Sequence, residues 1–323
     1  MLKVYRRLSY WRLHIGRNRF YHASSRASPL GVDSSIENNL KTETNKLSKT
    51  GQKFWDQVGL DFGGDKITVQ LDSKPLRTPL GNNLAIDHDR KVLGLMLKKE
   101  WSNLQEVASK KFSLPLTSLV SRCIDLETTS NADCDPEAVA KIGGDTTVIK
   151  NQLLRYMDTD TLLVFSPAKE FEGALREEQD KLYLPIIKKI EEFLGQYSSS
   201  DKQLTLQILD ADVHGLRGNV QSQEVKDAAM NYMDSLSPWD LAVFEKTVLT
   251  TKSFICGILL MESMTKKSTH KELVKSLDEI IRLATLETIF QVERWGEVED
   301  THDVDKRDIH RKISSAAIVA FKN

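Results

Sequence analysis

With 323 residues, 28% of them charged and 40% apolar, the chain has an ordinary globular composition and is longer than one hydrophobic core normally organises, so two domains plus a further segment are predicted. Its 45 Lys and Arg nearly balance 46 Asp and Glu, but seven of the basic residues and none of the acids fall in residues 1–28, which leaves 38 basic against 46 acidic and a net charge of −8 in the remainder. An acidic body speaks against nucleic acid as a partner.

The first 28 residues interleave Lys3, Arg6, Arg7, Arg12, Arg17, Arg19 and Arg26 with Leu2, Val4, Tyr5, Leu8, Trp11, Leu13 and Ile15. This acid-free, Arg-rich pattern predicts a mitochondrial transit peptide over residues 1–28; a secretory signal would need an unbroken apolar core, which is missing. Arg19-Phe20-Tyr21 followed by His22-Ala23-Ser24 looks like a matrix-peptidase cleavage site, and the mitochondrial matrix is the predicted location. Residues 29–52, rich in Ser, Thr, Asn and Lys with only Ile36, Leu40 and Leu47 as large apolar side chains in the stretch 33–50, read as a flexible leader.

Residues 53–135 read as an N-terminal α+β domain. Lys66 to Leu71 alternates polar and apolar, Asp72-Ser73-Lys74-Pro75 supplies turn chemistry, and Leu76-Arg77-Thr78 and Leu84-Ala85-Ile86 continue the pattern, which predicts a small antiparallel meander with one apolar face. The cover for that face is a helix N-capped by Asp87, with Val92, Leu93, Leu95, Met96, Leu97, Trp101 and Leu104 at helical spacing. Trp101 is assigned a structural role in that core. Residues 116–126 read as a further helix.

Residues 136–323 read as a helical bundle. Helices are predicted over residues 136–142, 147–156, 176–194 with Pro185 as a kink, 238–261 as one long helix or a pair, and 271–294; residues 162–165 form a short extended run. The most apolar stretch, residues 254–261, is eight residues long, so no stable membrane insertion is predicted. The fold class is thus α+β: a small mixed domain with an antiparallel meander, then an all-α domain.

Chemistry-bearing motifs are few. Gly63-Gly64 and Gly143-Gly144 lack phosphate-loop spacing, Cys123, Cys134 and Cys256 are odd in number and nowhere spaced C-x-x-C, and the histidines are scattered, so none of these motifs predicts catalytic residues, a metal site, a cofactor or a small-molecule substrate. The densest polar constellation is QVERWGEVEDTHDVD, residues 291–305, with six carboxylates and His302 around Trp295-Gly296. It lacks the order of a calcium loop. A solvated acidic face, a contact surface for a partner, and a hard-cation or acid/base site, the last as part of a metal-assisted hydrolase using the carboxylates of Glu293 to Asp305, all remain open from spacing alone.

Several stretches together resemble one family. FQVERWGEVEDTHDVD (290–305), LAVFEKTVLTTKSFICGILLME (241–262), KFWDQVGL (53–60), LDSKPLRTPLGN (71–82), the Glu100-Trp101 step, PLTSL (115–119) and LLRYMDTDTLL (153–163) are similar, in order, to the mitochondrial assembly chaperones of the F-type ATP synthase catalytic head that bind its alpha subunit. The resemblance is weakest over residues 196–226. It implies the two-part fold above and a non-enzymatic role, holding newly imported alpha subunit soluble until it meets beta. With it, Glu293, Glu297, Glu299, Asp300 and Asp303 become expected partner-binding residues, and Trp295 and Gly296 are expected to fix the helix end and its packing.

Overall fold

The computed structural model describes residues 53–104, 114–130, 134–200, 202–215, 218–265, 268–298 and 301–321. The transit-peptide and leader readings over residues 1–52 lie outside them. The architecture is a small antiparallel sheet followed by a larger helical body, and one continuous apolar core runs through both.

Strands β1 (Val58–Asp61), β2 (Ile67–Leu71), β3 (Lys74–Pro75) and β4 (Ala85–Ile86) form the sheet, with β2 paired to the other three. Ile67, Val69 and Leu71 alternate into the core as period two requires. Asp72 and Ser73 turn the β2–β3 hairpin with φ of 49° and 67°, both left-handed, a geometry Asp tolerates and whose twist matches that of the strands. The Asp72 carboxylate also accepts the amides of Asp56 and Gln57 at 3.0 and 2.8 Å, fastening the incoming chain.

Helix α1 (Lys91–Ser102) covers the sheet with Leu93, Leu97 and Trp101. Trp101 is fully buried; its indole N–H donates to Thr117 Oγ1 at 2.8 Å and its ring meets Trp55 at 5.1 Å. Two expectations for this helix need correction. A 3-10 turn, His88–Arg90, precedes it, and Asp87 makes no capping bond but pairs with Lys66 at 3.3 Å. Of the predicted apolar stripe, Val92, Leu95 and Met96 face outward, because the narrow sheet covers only part of so wide an apolar arc.

Helix α2 (Pro115–Thr129) joins the two regions. Glu100 caps its start, accepting the amides of Leu116 and Thr117 at 2.9 Å each, and burial pushes that carboxyl's pKa up against the pull of these bonds. Further along, Asp125 holds the Thr78 hydroxyl, the Leu80 amide and the Asn82 side chain of the sheet's last turn.

The helical body continues through α3 (Pro136–Lys141), α4 (Thr146–Asp158), β5 (Val164–Phe165), α5 (Ala174–Gly195), β6 (Leu209–Asp210), α6 (Ala211–His214), α7 (Gln223–Asp234), α8 (Pro238–Thr251), α9 (Phe254–Met264), α10 (Leu277–Trp295) and α11 (His302–Ala320). Helix α8 is the hub, packed on α2, α9 and α11. The starts of α4, α7, α8, α9 and α10 are capped by the side chains of Asp145, Ser222, Ser237, Ser253 and Ser276, so the breaks between helices are chemically marked.

Several spans differ from the sequence expectation. The stretch predicted at 271–294 splits into a 3-10 turn, Lys271–Leu273, and α10, because Ser276 and Glu279 form a reciprocal capping box that starts the helix at Leu277. The predicted extended run at 162–165 is half 3-10 turn, with only Val164–Phe165 in a strand, parallel to β6. Pro185 lies inside α5, whose helical assignment continues through it. Helices α7 and α11 carry no expectation from the sequence. Among the described residues no helix is long and apolar enough to cross a membrane.

Candidate functional site

The acidic stretch spans the end of α10, a short connection and the start of α11. Gly296 terminates α10 with φ 87° and ψ 161°, a conformation open almost only to glycine, and its amide returns to the Val292 carbonyl at 2.9 Å. Beyond it the amides of Thr301 and His302 donate to the Val298 carbonyl, and the Val298 amide donates to His302 Nδ1 at 3.0 Å. His302 is therefore occupied in holding the turn.

Trp295 closes α10 largely in solvent, 70% exposed, yet one of its faces meets Phe171 at 5.4 Å, which in turn meets Phe290 at 5.9 Å. Phe171 reaches this shelf from an unusual turn: Phe171, Glu172 and Gly173 have φ of 49°, 53° and 91° in succession. Left-handed backbone costs an L-residue roughly 1–2 kcal/mol, and the turn is held by Arg294, which pairs with Glu172 at 3.0 Å and lies 5.6 Å from the Phe171 ring. Phe171, Glu172, Phe290 and Arg294 were missed by sequence reasoning; Phe171 and Phe290 lie 119 positions apart, and the one local signal was the Glu-Phe-Glu-Gly turn chemistry.

Position relative to the helix dipoles separates the carboxylates. Asp303 and Asp305 sit in the first turn of α11, where negative charge is favourable, and Asp303 also pairs with Arg307 one turn on. Their presence has a local structural reason. Glu293 and Glu297 lie at the opposite, carbonyl-bearing end of α10, exposed and without an ion pair among the described residues. Helix electrostatics oppose them there. Glu299 and Asp300 lie outside the described residues. Among the described residues no three His, Cys, Asp or Glu side chains converge in a way that would hold a metal ion.

Residues 52–191 match the family model described as ATP12 chaperone protein. Over 309 residues, 94% of each chain, the sequence is 63% identical to the protein ATP12, mitochondrial, of Saccharomyces cerevisiae. The chain belongs to the ATP12 chaperone family. The mitochondrial atp12 protein of Schizosaccharomyces pombe is 30% identical over 269 residues, 83% of this chain and 82% of that one. The fold matches the crystal structure of Atp12 from Paracoccus denitrificans with a TM-score of 0.56 and 22% identity, over 83% of this chain and 97% of the other.

As an ATP12 chaperone the protein is a mitochondrial assembly factor and not an enzyme. Its acidic end presents an exposed indole on an aromatic shelf, with Glu293 and Glu297 beside it and neither in an ion pair among the described residues. Aromatic side chains within a polar rim are enriched in protein contact surfaces.

Proposed function

We propose that this ATP12 family member acts in the mitochondrial matrix in assembly of the ATP synthase catalytic head, entering with residues 1–28 as its transit peptide, binding the unassembled alpha subunit and keeping it from aggregating until beta displaces it. Unassembled alpha exposes surface meant for beta, and such a patch aggregates unless covered. A cover with a substantial electrostatic share captures quickly and still exchanges. The observation that carries this reading is the placement of Glu293 and Glu297 at the wrong end of a helix dipole, unpaired among the described residues and beside the exposed Trp295. Together with Glu299, Asp300 and Asp303 they are the proposed partner contacts.

Converting Glu293→Lys and Glu297→Lys together is expected to weaken capture of alpha subunit by about tenfold or more, with the loss growing smaller as salt is raised. The melting temperature should hold or rise slightly, since neither side chain has an ion pair to lose among the described residues and lysine suits the carbonyl end of α10. A pull-down with purified alpha subunit checks this; unchanged binding with an unchanged melting curve would sink the assignment.

A further inference from the structure

The aromatic shelf at the end of α10 already carries a cover, and the cover is strained. Phe171 lies against Phe290 and Trp295 at 5.9 and 5.4 Å, so the ring seated there comes from the turn Glu170–Gly173 and not from a packed helix. Phe171 and Glu172 both hold left-handed backbone, at φ 49° and 53°, without being glycine. Outliers of this kind mark clamps and switches, where the surroundings hold the backbone against its preference.

The turn is placed to let go without disturbing the fold. Upstream the Ala168 amide is fixed on Asp212 at 2.7 Å, and downstream Leu175 is fully buried in the first turn of α5. Between those anchors Phe171 is only partly buried and Glu172 is 82% exposed. A change of φ and ψ at residues 171–173 therefore moves two side chains and neither flanking element, which is the arrangement of a hinge.

What holds the turn closed is modest. Glu172 pairs with Arg294 at 3.0 Å near the surface, and the Arg294 guanidinium lies 5.6 Å from the Phe171 ring. An exposed ion pair, one cation–π contact and two ring contacts together contribute an amount comparable to the cost of left-handed backbone at two residues. Closed and open forms of the turn therefore lie close in free energy, and a competitor for the seat of Phe171 needs only a small advantage.

We propose that Phe171 and Glu172 are a resident plug on the client-binding end of α10, and that a client segment displaces them. The plug itself shows what the seat accepts: an aromatic ring against Phe290 and Trp295, with a carboxylate beside it on Arg294. The occupant is accordingly an aromatic residue of the client with an Asp or Glu close to it in sequence. Carried on ordinary backbone, that pair of groups makes the same contacts without left-handed strain, so it takes the seat while the plug relaxes. Until a client arrives, the plug keeps Phe290 and one face of Trp295 from meeting other apolar surfaces.

This inference rests on capture of alpha subunit as proposed above, and its test is arranged so the two fail separately. Removing the plug by Phe171→Ala should tighten capture of purified alpha subunit about tenfold, because the seat no longer has to be vacated first. The melting temperature should change little, since Phe171 is only partly buried. Removing the seat by Trp295→Ala or Phe290→Ala should instead weaken capture, whereas a plain contact surface would give all three variants the same sign. In the Phe171→Ala background, Arg294→Met should then loosen the complex, as the client carboxylate loses its partner. Hydrogen–deuterium exchange gives a reading on the unaltered chain: the Ala174 amide, bonded to the Phe171 carbonyl in the closed turn, should exchange faster once alpha subunit binds. Capture that Phe171→Ala weakens or leaves unchanged, or protection of the Ala174 amide in the complex, overturns the plug; no effect of Arg294→Met in the Phe171→Ala background overturns the assigned occupant. Absence of any complex with the unaltered chain overturns the proposed function, and the plug with it.

Discussion

Replacing Gly257 by alanine is expected to destabilise the protein by about 3 kcal/mol, although alanine would bring roughly 1 kcal/mol of extra helix propensity to the middle of α9. The reason is the closeness of α8. A Cβ at position 257 would lie 2.5 Å from Phe244 Cε2 and 2.9 Å from both Phe244 Cδ2 and Val248 Cγ2, well inside contact distance. Phe244 cannot swing clear, because it is fully buried with the Phe254 ring 4.8 Å away on one side and Tyr232 at 5.7 Å on another. Interiors packed this tightly transmit the clash as strain. Thermal unfolding of Gly257→Ala, Phe244→Leu and the pair makes the test specific: the double variant should be less destabilised than the sum of the singles by more than about 1 kcal/mol. Simple additivity would show that the helices do not meet at this point.

A second large effect is expected at Asp160, and it depends on pH. This fully buried carboxylate serves two elements at once, with Oδ1 accepting the Leu162 amide of the 3-10 turn and Oδ2 the Ile255 amide at the start of α9, both at 2.9 Å. Burial outweighs those hydrogen bonds and raises its pKa from 3.8 to about 6. Between those values the folded state holds a proton that the unfolded chain has released. The contribution of this group to stability is therefore greatest below about pH 4, falls as pH rises through 6, and is level above, a change of about 3 kcal/mol. Asp160→Asn keeps the shape but offers one acceptor for two amides, leaving one unmet at a cost of roughly 1–3 kcal/mol. Wild type should accordingly lose ground against Asp160→Asn by about 3 kcal/mol between pH 4 and pH 7 in denaturant titrations. A difference that does not vary with pH would show that Asp160 is ionised throughout or solvated.

What the sequence made legible follows from how strongly each element is patterned. The alternation of Ile67, Val69 and Leu71 and the Asp72-Ser73 turn announce the hairpin, and the broad stripes of α5 and α10 announce those helices. Helix α11 is silent because much of its inner face is built from Ser315, Ala316, Ala317 and Ala320, which lie close against their neighbours without a conspicuous apolar repeat. The break between α8 and α9 falls at Lys252, left-handed at φ 57° without a glycine to signal it, which is why one helix or two both fit the pattern.

The acidic cluster could be read as a density of charge but not sorted. Only the helix ends distinguish Asp303 and Asp305, which complement a dipole, from Glu293 and Glu297, which oppose one. Phe171 joins the site from a distant part of the chain through backbone that no propensity favours. The stripe on α1 shows the converse limit. Val92, Leu95 and Met96 have the spacing of core residues and sit in solvent, since periodicity reports an apolar arc and not what covers it.

The most direct test of the central claim is to deplete the chain from mitochondria and fractionate the alpha and beta subunits of the ATP synthase. The account predicts alpha subunit in the insoluble fraction while the rest of the matrix proteome stays soluble, with solubility restored by wild-type chain and not by the Glu293→Lys, Glu297→Lys variant. Soluble, assembled alpha subunit in the depleted mitochondria would contradict it.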